Sequence, residues 1–116
     1  MAEINLRFEF SQDNDLNQVA EMLEKRIGQL QMVNEVESVP EKMKLTGVEV
    51  ASAIGVTILV VRSSGELIGE IRKLITEIKK FSSDLHDLKN IFFDVGDQRV
   101  KLEDLDDEHL RRMEQG

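Results

Sequence analysis

From Glu66 to Phe81, the residues Leu67, Ile68, Ile71, Leu74, Ile75, Ile78 and Phe81 recur at three- and four-residue steps. Glu66, Glu70, Arg72, Lys73, Glu77, Lys79 and Lys80 fill the positions between them. That spacing predicts a helix with one apolar stripe. Acids lead and bases follow, as the helix dipole prefers, and Ser63 stands three residues before Glu66 at the spacing of a capping box. A helix that is apolar on one side only must bury that side against another layer. The rest of the chain therefore has to provide that layer.

The N-terminus offers the first part of it. Ile4, Leu6, Phe8 and Phe10 alternate with Asn5, Arg7 and Glu9, the period of a strand with one buried face and one wet face. Ser11 to Asp15 breaks the pattern, and Asp15 with Gln18 has capping-box spacing. Leu16, Val19, Ala20, Leu23, Ile27 and Leu30 then predict a helix from about Leu16 to Leu30. Val33, Val36 and Val39 suit a short edge strand that Pro40 ends by removing an amide donor, and Glu41 to Thr46 reads as a polar connection. Residues 46–61 are ambiguous. Val56 to Val61 is β-branched, as in a strand buried on both faces. Thr46 and Glu49 have capping-box spacing, however, and Val50, Ile54, Thr57, Ile58 and Val61 keep helical spacing, which favours a buried helix.

Near the C-terminus, Gly96-Asp97 fits a two-residue type II′ turn. It would set Phe93 opposite Val100, Ile91 opposite Leu102, and Asp94 opposite Arg99, pairing apolar with apolar and charge with opposite charge. Asp104 to Glu108 opens a last short helix through Met113, with acids at its positive end. The expected order is β-α-β-α-α-β-β-α. This is a single α+β domain, with a small, mostly antiparallel sheet packed against the long amphipathic helix.

Composition narrows the function classes. Fifteen Lys and Arg face 23 Asp and Glu, for a net charge of −8, which repels phosphate backbones. The nearest thing to a basic stripe, Arg72–Lys73 with Lys79–Lys80, is interleaved with Glu70 and Glu77, so no nucleic-acid face is expected. The N-terminus lacks the basic and apolar regions of a signal peptide. The longest apolar run, Val50 to Val61, falls short of the ~20 residues a spanning helix needs. A cytoplasmic protein without a membrane partner is expected. There is no cysteine, hence no disulfide, thiolate nucleophile or Cys-based zinc site.

No catalytic, metal or cofactor site emerges. His86 and His109 have acids nearby but no converging set of three or four ligands. Asp104, Asp106, Asp107 and Glu108 lack the central Gly of a calcium loop. Gly65 to Gly69 lacks the Lys of a phosphate loop, and no serine stands in a nucleophile elbow.

Gly47 to Val61 as a small-and-aliphatic helix, the Ser63-Ser64-Gly65 break, the amphipathic helix 66–81 and the closing hairpin Ile91 to Leu102 together resemble the effector-associated constant component family, a small module of bacterial conflict systems. The resemblance implies a non-enzymatic partner or regulator of effectors such as peptidases or NTPase-associated components. Under that reading Phe92, on the far side of the hairpin from Ile91, Phe93 and Val95, is the first candidate for a partner contact. Ala51, Gly55 and Ile58 would admit a second helix in a homo-oligomer. A regulatory domain that binds a small molecule is the alternative function.

Overall fold

The structure, a computed structural model, describes residues 2–10, 16–44, 50–61, 67–85 and 87–115. The expected caps at Asp15, Thr46 and Ser63, and His86, lie outside the described residues. Strand β1 (Ala2–Phe10) is followed by helix α1 (Leu16–Gly28), strands β2 (Val33–Lys44) and β3 (Val50–Val60), and helix α2 (Leu67–Ser82). Strands β4 (Leu88–Val95) and β5 (Gln98–Lys101), a single 3-10 turn (Leu102–Asp104) and helix α3 (Asp107–Gln115) complete it. The class is α+β, as the one-faced elements required.

The five strands form one sheet in the order β2-β3-β1-β4-β5, each antiparallel to its neighbours. Strands β1 and β2 are therefore parallel, with β3 inserted between them, and β3 and β4 are parallel with β1 between them. Two split β-α-β units interlocked in this way make the ferredoxin-like β-α-β-β-α-β topology, here extended by β5 and α3.

Alternation along the strands separates two faces. The inward row holds Ile4, Leu6, Phe8 and Phe10 of β1, Ile54, Val56, Ile58 and Val60 of β3, and Ile91, Phe93 and Val95 of β4, all buried. Against it pack Leu16, Ala20, Leu23 and Ile27 of α1, then Leu67, Ile71, Leu74, Ile75, Ile78 and Phe81 of α2, and Leu110 and Met113 of α3. Burial of a Phe or Ile side chain contributes about 1.5–3 kcal/mol, so this one-sided cluster dominates the stability. Ion pairs tie the helices together at their ends. Arg26 reaches Asp84 at 3.3 Å with its guanidinium over the Phe81 ring, and Arg72 reaches Asp107 at 2.7 Å.

Residues 50–60 are a strand, which corrects the helix favoured from spacing. An almost unbroken aliphatic run satisfies a helical period by accident. Here the β-branched side chains of Val56, Ile58 and Val60 project to one face, while β1 and β2 supply hydrogen-bonded neighbours on both edges. Strand β2 is the expected edge strand, but it does not end at Pro40, and the supposed connection continues it to Lys44. The Ser38 amide explains why. It donates to Glu24 Oε1 of α1 at 3.0 Å, so it points away from β3. Pro40, two residues on, has the same orientation, and its missing donor costs no ladder bond.

Helix α1 stops at Gly28, two residues short of Leu30. The β4–β5 hairpin has the expected turn and register, with Phe93 opposite Val100 and Asp94 opposite Arg99. Gly96 adopts φ 60° while Asp97 keeps a negative φ, the pattern of a II′ turn. The ladder ends at Phe92 and Lys101, so Leu102 opens the 3-10 turn instead of pairing with Ile91.

Candidate functional site

The second face of the sheet is formed by the polar residues of each alternation. Glu3, Asn5, Arg7 and Glu9 of β1 all keep some solvent contact there, as do Gly55, Thr57 and Leu59 of β3, whereas Ala53 is buried. The helices α1, α2 and α3 direct their buried residues to the opposite face. The registers align one residue from every strand into a row across this surface: Val39, Gly55, Arg7, Phe92 and Lys101.

Phe92, the residue expected to contact a partner, lies in this row and is half-buried. On one side stands Arg7, whose side chain is 17% exposed and pairs with Glu9 at 3.5 Å. On the other stands Lys101. Gly55 lies between Val39 and Arg7, where an added Cβ would meet only the Val39 carbonyl oxygen, at 3.9 Å. Val39 is 54% exposed, the most open large apolar side chain among the described residues. The row thus carries an apolar end, a bare backbone slot, a guanidinium and a phenyl ring. Charges rim it, with Glu35 and Glu37 on β2 and Arg99 bridging to Asp94 at 3.5 Å on the opposite edge.

The other candidates do not gather here. Ile58 has no exposed surface and belongs to the inward core, so it cannot admit a second chain. Ala51 lies in β3 opposite Met43. With a strand in place of a helix, the small-residue stripe that joined Ala51, Gly55 and Ile58 does not exist, and Gly55 lies on the open face while Ile58 lies in the core. Edge pairing between copies is also hindered at the middle of β2. Glu24 Oε1 accepts from both the Ser38 amide and its hydroxyl, at 3.0 and 2.7 Å, and Pro40 offers no donor. Occupied or missing donors on an edge are a known protection against strand addition.

His109 is structural. The His109 amide donates to Asp106 Oδ1 at 3.0 Å, and the Asp106 amide donates to His109 Nδ1 at 3.2 Å. This is a reciprocal cap with histidine in the role usually taken by glutamate. Asp107 and Glu108 turn to Arg72 and Arg112. No group of three or more His, Asp or Glu among the described residues could hold a metal, and none of the described helices is long and apolar enough to cross a membrane.

One concave feature escaped the sequence reading. A cleft of about 450 Å³ opens between the end of α2, the start of β4 and the 3-10 turn, and Lys79, Lys89 and Lys101 line it. These residues are far apart in sequence, and no motif connects them. Arg7, by contrast, was placeable, since it alternates against the Ile4–Phe10 row. No protein-family model matches the chain, and no curated protein is detectably similar to it.

Proposed function

We propose that this protein is a non-enzymatic interaction module of the bacterial cytoplasm, which couples an effector such as a peptidase or an NTPase-associated component to its sensor in a defence system. The observation that carries the reading is the sheet face that none of the described helices covers, with Phe92 and Arg7 in its central row. Interfaces favour aromatic and arginine anchors within a charged rim, and this row provides both on a rigid strand pair. The resemblance of the α2 and hairpin segments to effector-associated modules supplies the biological setting, although the helix that the resemblance implies before them is strand β3 here. The alternative, a regulatory domain for a small molecule, would need a site outside the packed interior, where Phe8, Phe93, Leu23, Ile27 and Leu74 have lost essentially all solvent contact.

A pull-down from the native host, read together with the neighbouring genes, tests the proposal. Effector components should be captured by the wild type and lost with Phe92→Asp, whose fold is checked by circular dichroism. Capture of metabolic enzymes alone, or equal capture by the folded Phe92→Asp protein, would refute it.

A further inference from the structure

Most cations of this acidic chain that lie among the described residues are engaged. Arg7, Arg26, Arg72, Lys73, Lys80, Arg99 and Arg112 each have an acidic partner within 4 Å. Lys25, Lys79, Lys89, Lys101 and Arg111 are exposed and take part in none of these pairs, and three of the five, Lys79, Lys89 and Lys101, line the same cleft. Three uncompensated ammonium groups around one concavity repel each other, and in a molecule of net charge −8 nearby carboxylates would normally neutralise them. Glu103 is the single acid in the lining. Leu88, Ile91 and Leu102 supply the apolar part of the floor and walls, alongside the polar Ser82 and Asn90. The cleft also lies where the sheet is incomplete. Strand β4 begins at Leu88, but its ladder with β5 starts only at Phe92, so the first half of β4 has a strand neighbour on the β1 side alone.

We propose that this cleft receives an acidic, extended peptide segment of the partner, laid beside the first half of β4 with its carboxylates on Lys79, Lys89 and Lys101 and an apolar side chain on the floor. A strand-like occupant follows from the short β5, because an extended chain satisfies a strand edge in a way a compact anion does not. The acidity follows from the three unpaired ammonium groups, and the need for an apolar residue follows from Leu88, Ile91 and Leu102. The inference rests on the interaction reading only in taking the ligand to be a protein segment. Its surface is distinct from the Phe92 row and touches it at Lys101.

The test is a fluorescence-anisotropy titration of the full chain with a short labelled peptide alternating Glu and Leu, with the Lys-for-Glu peptide as control. Saturable binding is expected for the acidic peptide alone, and it should weaken as salt rises. Lys79→Ala with Lys89→Ala should weaken it about fivefold or more, since each exposed charge pair is worth up to about fivefold. No saturable binding, equal binding of the control peptide, or full binding by the folded double variant would overturn the proposal. Displacement by millimolar inorganic phosphate would overturn it in favour of a small-anion site. Phe92→Asp separates the two proposals. If it abolishes capture from the host while the acidic peptide still binds, both stand. If capture fails for every protein and the peptide still binds, the cleft stands without the sheet face.

Discussion

Glu24→Ala should loosen the outer edge of the sheet more than its place on a helix surface suggests. In the wild type one carboxylate oxygen accepts two hydrogen bonds from Ser38, at 3.0 Å from the amide and 2.7 Å from the hydroxyl. A bond to a charged group contributes about 1.5–3 kcal/mol when buried. Both partners here are half-buried, and water can replace the lost acceptor at an edge, so the pair together is worth about 1–2 kcal/mol. Glu24→Gln keeps the acceptor oxygen without the charge and should lose less than half of that. With a urea m-value of about 2 kcal/mol/M for a domain of this size, the midpoint of Glu24→Ala should fall by roughly 0.5–1 M with m unchanged. The freed Ser38 amide would also become a template for strand addition, so light scattering should show concentration-dependent association absent from the wild type. A midpoint within error of wild type, with no gain in association, would refute both the assigned energy and the protective role of this contact.

Three further outcomes follow. Ile58→Ala should cost about 2–5 kcal/mol in urea unfolding, whereas Thr57→Ala, which loses one bond to Asn5 Oδ1 at 2.8 Å, should cost about 1 kcal/mol or less; similar losses at the two positions would contradict the strand. Gly96→Ala should destabilise by about 1–2 kcal/mol because φ is 60° there, and an unchanged thermal midpoint would count against the II′ turn. Gly55→Val should raise stability by up to about 1 kcal/mol while blocking capture of the partner, and undiminished capture would remove this slot from the interface.

The elements that were legible in sequence are those whose apolar residues leave gaps. Ile4 to Phe10 and Leu67 to Phe81 each show one period only, because half of each element faces water. The hairpin was legible because Gly96-Asp97 limits the turn and Asp94 and Arg99 then meet. Residues 50–60 were not, since a strand between two others, with Ala53, Gly55 and Leu59 on its second face, loses the polar residues that mark alternation. Pro40 misled for a related reason. Proline excludes a donor, and whether that matters depends on which way the amide points, a fact held by Ser38 and Glu24 together. For the functional surface, Phe92 was placed on the outer face by parity alone. Its neighbours Val39, Gly55 and Arg7 come from three other strands, and their alignment is a property of register. The lysine cleft was less legible still, being formed where β5 stops short of β4.

Strand order also has a consequence during synthesis. Strand β1 emerges first, yet it occupies the centre of the finished sheet, between β3, which begins at Val50, and β4, which begins at Leu88. At about 5–20 residues per second, roughly 4–16 s separate its completion from the appearance of its second partner. Until β3 is made a segment as apolar as Ile4-Leu6-Phe8-Phe10 has neither neighbour, and until β4 is made it has at most one. The Arg7–Glu9 pair needs no partner strand, because both residues lie on the same side of β1 itself. Charged side chains on one side of a strand oppose its association with other chains while its flanking strands are unmade.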